Sequence, residues 1–166
     1  MKKHLIFIHS FFYPDYSAGS QMLSDLSFYL AENGFTVSVI TSRRTYSNLG
    51  DSLPKYEKIN NVNIYRKWSS SYGRRTFIGR FIDYISLEMS MIYGIIKLTK
   101  KNDVVILLTD PPLLNVIVSP IIKLKGGLIV NWLQDLFPEV AVGAGIISEE
   151  SFLNKIITKL RNRTLY

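Results

Sequence analysis

LIFIHSFFYPDYSAGSQMLSDLSFYLAENGFTVSVI, residues 5–40, opens with four consecutive apolar side chains flanked by polar ones. A short apolar run without alternation reads as a strand buried on both faces. Residues 10–19 are rich in turn formers. Met22, Leu23, Leu26, Tyr29 and Leu30 then recur at helical spacing until Asn33-Gly34 supplies a stop. Residues 35–40 read as a second strand. Strand, loop, helix and strand within about 40 residues make a βαβ unit with a right-handed crossover.

Working outward, residues 42–60 read as an irregular connection, with Asn48, Gly50, Asp51 and Pro54, and residues 62–66 as a third strand. Residues 68–75 are polar and turn-like. Ile78, Phe81, Ile82, Ile85, Met89, Ile92 and Ile96 follow an i, i+3, i+4 rhythm, which predicts one helix over Phe77–Leu98, about 33 Å long. Arg80, Asp83 and Glu88 inside it argue against a transmembrane span. A fourth strand over 104–108 is stopped by Asp110-Pro111-Pro112. A short helix follows over 113–124 despite Pro120, then a Gly126-Gly127 turn, a fifth strand over 128–133 and a last helix over 151–163. This alternation predicts an α/β, Rossmann-like parallel sheet with helices on both faces. Such sheets bind ligands beyond the carboxyl ends of their strands. The loops that matter are therefore 10–20, 41–46, 67–75, 109–112 and 134–139.

The chain has 166 residues, 47% of them hydrophobic, enough for one compact domain over 1–166 and incompatible with a disordered or fibrous protein. Cysteine is absent, and two histidines, His4 and His9, cannot make a metal site alone, so no metal is expected. No G-x-G-x-x-G and no G-x-x-x-x-G-K-[ST] stretch is present, which argues against a dinucleotide oxidoreductase and a P-loop nucleotidase. The amino-terminal apolar run stops well short of the roughly 7 to 15 residues of a signal sequence, so secretion is not expected. The net charge of +7 is localised. Residues 43–80 hold Arg43, Arg44, Lys55, Lys58, Arg66, Lys67, Arg74, Arg75 and Arg80 against Asp51 and Glu57, while the remainder balances. A local anionic partner, a phosphate or a membrane surface, fits that distribution, against the plainer alternative of a solvated face.

Within the first loop, Gly19 would let backbone approach a ligand, and the amides that open the next helix would favour a phosphate. The fifth-strand exit, Gln134-Asp135-Leu136-Phe137-Pro138-Glu139, puts two carboxylates and an amide where a parallel sheet keeps its chemistry. Asp135 is the best placed, as acceptor of a sugar hydroxyl's hydrogen bond or as a base, unless it merely caps the next helix. Glu139 suits a helix's first turn. Asp110 either contacts ligand or ends its strand in an Asx turn. Trp68, Tyr72, Arg74, Arg75, Phe77 and Arg80 interleave aromatics with guanidinium groups, a composition suited to an anionic lipid interface or to a solvated loop.

Taken in order, Phe12-Tyr13-Pro14 with Ala18-Gly19, the 30–37 segment with Ile40-Thr41, Asp103-Val104-Val105 with Pro111-Pro112, and the 134–139 segment resemble the amino-terminal half of family 4 glycosyltransferases. These are retaining enzymes of GT-B fold, and the resemblance is strongest to the bacterial subgroup that builds capsule, O-antigen or exopolysaccharide. It implies that residues 1–166 are the acceptor-side domain, and that a donor-binding domain with paired glutamates lies outside this chain, which is then an expressed fragment inactive by itself. It implies no cofactor in this domain and a nucleotide-sugar donor for the whole enzyme. The implied partners are a lipid-linked saccharide acceptor and an anionic membrane surface, not nucleic acid, and the implied location is cytoplasmic, on the inner face of the plasma membrane. By the same resemblance residues 19–23 lie beside the donor diphosphate, Asp135 is catalytic, and Tyr13, Ala18, Gly19, Ser20, Asp110, Gln134 and Glu139 bind substrate. Arg74, Arg75, Phe77 and Arg80 are the expected membrane contacts. The rival reading is a non-catalytic module that holds an anionic lipid or a protein.

Overall fold

The computed structural model describes residues 3–46, 52–72, 76–111, 113–136 and 138–163. Its elements in chain order are β1 (His4–Ile8), α1 (Ala18–Glu32), β2 (Thr36–Ser42), β3 (Tyr56–Ile59), β4 (Val62–Lys67), α2 (Phe77–Leu98), β5 (Val104–Leu108), α3 (Leu114–Leu124), β6 (Leu128–Trp132), α4 (Glu139–Gly143) and α5 (Phe152–Asn162). One six-stranded sheet has the order β3-β4-β2-β1-β5-β6. β1 pairs in parallel with β2 and β5, β2 with β4, and β5 with β6. The predicted α/β sheet with helices on both faces is therefore present.

Successive strand residues point to opposite faces, and the core divides accordingly. Ile6, Ile8, Ile40, Val105 and Leu107 face α2 and α3, meeting Leu87, Met91, Ile95, Val118 and Ile122. Phe7, Val37, Val39, Ile64, Ile106 and Leu108 face the other way, with Leu23 and Ala31 of α1 among them. α1 ends in a Schellman motif: Gly34, at φ +88°, donates to Ala31 O, and Phe35 donates to Leu30 O. Thr76 caps α2, its hydroxyl accepting from the Gly79 amide.

The segment expected to be wholly irregular contains β3, an antiparallel edge strand paired with β4, Tyr56 opposite Tyr65 and Glu57 opposite Ile64. A buried arginine explains its position. Arg66 of β4 is 3% exposed, bonds Glu57 of β3 and donates from Nη2 to Tyr13 O at 2.6 Å. Burial lowers the Arg66 pKa to about 10. Arg66 thus belongs to the interior, although it counts toward the basic excess of 43–80. Lys67 is partly buried against α2, where a Cβ on Gly94 would collide with its side chain. Among the described residues no helix is long and apolar enough to cross a membrane.

Candidate functional site

The carboxyl ends of the parallel strands open onto a cleft of about 680 Å³. His9 and Ser10 follow β1, Arg44 follows β2, Ser69 follows β4, Thr109 and Asp110 follow β5, and Gln134 and Asp135 follow β6. Ser17 and Gly19 contribute the start of α1, and Arg80, Asp83, Tyr84 and Leu87 of α2 form the facing wall. This is where an open α/β sheet leaves its strand ends, loop amides and helix starts available to a ligand.

The first loop is built around Asp15, which is buried. Its carboxylate accepts from the Ser17 amide at 2.8 Å and from the Tyr46 amide, joining the β1 and β2 loops. Ser17 occupies the N-cap of α1 without using its hydroxyl as a cap, and that buried hydroxyl has no partner among the described residues. A Cβ on Gly19 would lie 3.0 Å from His9 Nε2 and 3.3 Å from Gln134 Oε1, so a larger residue would push one or both side chains back by a few tenths of an ångström. His9 Nδ1 lies 2.7 Å from Phe11 O and 3.2 Å from Phe11 N, which fixes the ring and directs Nε2 toward α1.

Two carboxylates, Asp110 and Asp135, gather at the strand ends, and Glu88 of α2 lies within electrostatic reach of Asp110. Burial raises the Asp110 pKa above the ordinary carboxylate range, with His9 opposing the rise and Asp135 adding to it. Asp135 is exposed in the cleft, its amide donating to Thr109 Oγ1 at 3.2 Å. Glu88 of α2 is pushed up to about 7 by burial and then by the Asp110 charge. The acids of the cleft can accept hydrogen bonds from sugar hydroxyls, and Arg44 and Arg80 in the same lining can complement phosphate charge. Among the described residues no group of three or more acids and histidines is arranged to hold a metal.

The cleft brings together Gly19, Asp110, Gln134 and Asp135 of the expected substrate and catalytic residues, and Arg80 of the expected membrane contacts. The others lie elsewhere. Tyr13 stacks edge-on against Phe28, and its carbonyl accepts from Arg66. Ala18 opens α1 outside the lining, and Ser20 is buried, its hydroxyl donating to Asp15 O at 3.1 Å. Glu139 does open α4, but both its oxygens accept from Arg161 of α5 at 2.7 Å, and this contact lowers its pKa. The alternative of Asp135 as a helix cap does not hold, since Pro138 takes the N-cap of α4. Phe77 is the first residue of α2, while Arg74 and Arg75 lie outside the described residues. Sequence reasoning did not single out His9, Arg44 or Tyr84 for the cleft, or Glu88 behind it as a neighbour of Asp110. His9 and Arg44 were identifiable by their position just after strands, whereas Tyr84 and Glu88 gave no such signal.

No family model and no curated protein matches the sequence. Among solved structures, a sucrose-phosphate synthase from Thermosynechococcus elongatus matches over 99% of this chain, with a TM-score of 0.61 at 12% identity. The match covers 40% of that enzyme's chain. Residues 1–166 therefore have the fold of one Rossmann-like domain of a GT-B enzyme, spanning well under half of the matched structure's length.

Proposed function

We propose that this chain is the acceptor-side domain of a retaining glycosyltransferase, which moves a sugar from a nucleotide-sugar to a lipid-linked saccharide in capsule, O-antigen or exopolysaccharide synthesis. The observation that carries the reading is the convergence of Gly19, Asp110, Gln134 and Asp135 on one cleft at the strand ends of a GT-B-like domain. In this reading the amides at the start of α1 lie beside the donor diphosphate, most donor contacts come from a second domain, and Asp135 receives the acceptor hydroxyl. Arg44 and Arg80 supply positive charge for the phosphates of a lipid-linked substrate. The enzyme works on the cytoplasmic face of the plasma membrane, where such an acceptor is presented.

Assaying the full-length protein with Asp135→Asn tests this. A hydroxyl-activating carboxylate gives a drop in kcat of about 100-fold or more, with a smaller change in KM, because positioned acid–base groups contribute roughly 10²–10⁴-fold. Activity near wild type removes Asp135 from the catalytic role.

A further inference from the structure

Lys67 leaves the carboxyl end of β4 on the face of the sheet that α2 covers, the face it shares with Tyr65. Its partly buried side chain crosses α2 at Gly94, where a Cβ would stand 2.8 Å from Nζ and nearer still to Cε. Glycine weakens a helix interior, and here it opens a notch that a larger residue would fill. Lys97, one turn on from Gly94, sits with Nζ 4.8 Å from the Tyr93 ring centroid. The fold thus brings two ammonium groups to one spot on the helix.

Their surroundings supply no counter-charge. Burial lowers the Lys67 pKa, the Lys97 charge lowers it further and Tyr93 opposes the fall, while no carboxylate acts on it. The nearby acids are engaged elsewhere. Glu57 is bonded to buried Arg66 on the other face of β4, Asp83 accepts from Ser70 and Tyr72, and Glu88 interacts with Asp110. Among the described residues neither lysine has a carboxylate partner. Free lysines in water swing apart, yet Lys67 lies in the notch at a cost in desolvation and repulsion that a bound anion would reverse.

The position and the charge of the pair narrow the occupant. From Arg80 in the cleft wall to Gly94 is about 21 Å along α2 at 1.5 Å per residue. A further domain facing the cleft across the strand ends does not extend to this part of the helix, so the counter-charge comes from solution. Two cations suit a dianion better than a single carboxylate. A phosphate monoester carries roughly 1.5 to 2 negative charges at neutral pH, and ammonium groups bind it as point charges. The exposed Tyr93 ring beside the pair offers a surface to whatever group the phosphate carries. We propose that Lys67 and Lys97, gathered over the Gly94 notch of α2, form a binding site for a soluble phosphate monoester, apart from the strand-end cleft.

Inorganic phosphate and phenyl phosphate are the probes, compared with sodium chloride at equal ionic strength. Acylation of each lysine by an N-hydroxysuccinimide ester, read by peptide mass spectrometry, follows the free amine. Saturating phenyl phosphate should slow acylation of Lys67 about ten-fold, the change that a pKa rise of about one unit gives, and should leave the exposed Lys123 unaffected. Lys97→Gln removes one charge, and Gly94→Ala fills the notch while keeping both. Each variant should melt close to the parent and lose most of the protection at Lys67. The proposal is overturned if chloride protects Lys67 as well as phosphate does, if Lys67 and Lys123 are slowed alike, or if either variant is protected like the parent. Protection by phosphatidylglycerol vesicles but not by the soluble probes also overturns it, since that marks a lipid surface. So does a Lys67 that is already unreactive, without phosphate, in a longer protein carrying the further domain, since that marks a domain interface. No sugar donor or acceptor enters the measurement, so its failure leaves the glycosyltransferase reading standing, and the reverse holds.

Discussion

Glu88 is a residue whose ionisation the fold opposes, as it opposes that of Asp110. It lies partly buried on α2, and the Asp110 charge adds to the cost of ionising it. Its pKa rises from 4.5 unfolded to about 7 folded, so the folded chain keeps a proton that the unfolded chain gives up. This contribution is complete below the unfolded value and is lost as pH rises through the folded one, because the native state binds more protons in that window. Glu88→Gln should therefore stabilise the domain by about 1 kcal/mol or more near pH 8 and by almost nothing near pH 4, where both forms are neutral. Urea midpoints at the two pH values check this, and an equal effect at both places the Glu88 carboxyl in ordinary solvent. Asp135 was legible because a carboxylate just after an apolar strand has few other places to go. Glu88 was not, since a helical rhythm reveals which face a residue occupies but not which loop returns to meet it.

At the scale of elements, the apolar runs of β1, β2 and β5 were readable because strands covered on both faces need apolar side chains throughout, whereas β3 was hidden. Its sequence, Tyr56-Glu57-Lys58-Ile59, is an edge strand with exposed positions and no apolar run, fixed through Arg66 rather than through its own pattern. Arg66 also shows why a charge count misleads, since one of the nine cations of 43–80 is a buried tie between β4, β3 and the first loop. The pair should respond asymmetrically. Glu57→Leu leaves Arg66 charged and buried and should cost about 3 kcal/mol, while Arg66→Met leaves Glu57 partly exposed to water and should cost less. Denaturant unfolding of the two variants ranks them, and the reverse order rules out a buried charge as the controlling cost.

For the whole molecule, the α/β alternation pointed to the sheet and to the position of its ligand cleft, and the match to part of a larger enzyme shows the fold, while the proposed division of labour between this domain and a donor domain rests on resemblance. The cleft holds acids and an amide at the strand ends and a glycine where α1 starts close to His9 and Gln134. An acceptor-side domain should recognise the saccharide acceptor by itself and the nucleotide-sugar only weakly. The direct measurement is the thermal unfolding of this chain with each ligand in turn, a short-tailed lipid diphosphate saccharide and a UDP-sugar. Ligand at 100 times its Kd adds about 2.7 kcal/mol to stability, a clear rise in Tm. The account predicts a saturable rise with the acceptor analogue, reduced by Asp135→Asn, and little change with the UDP-sugar. A large rise with the UDP-sugar and none with the acceptor analogue would contradict it.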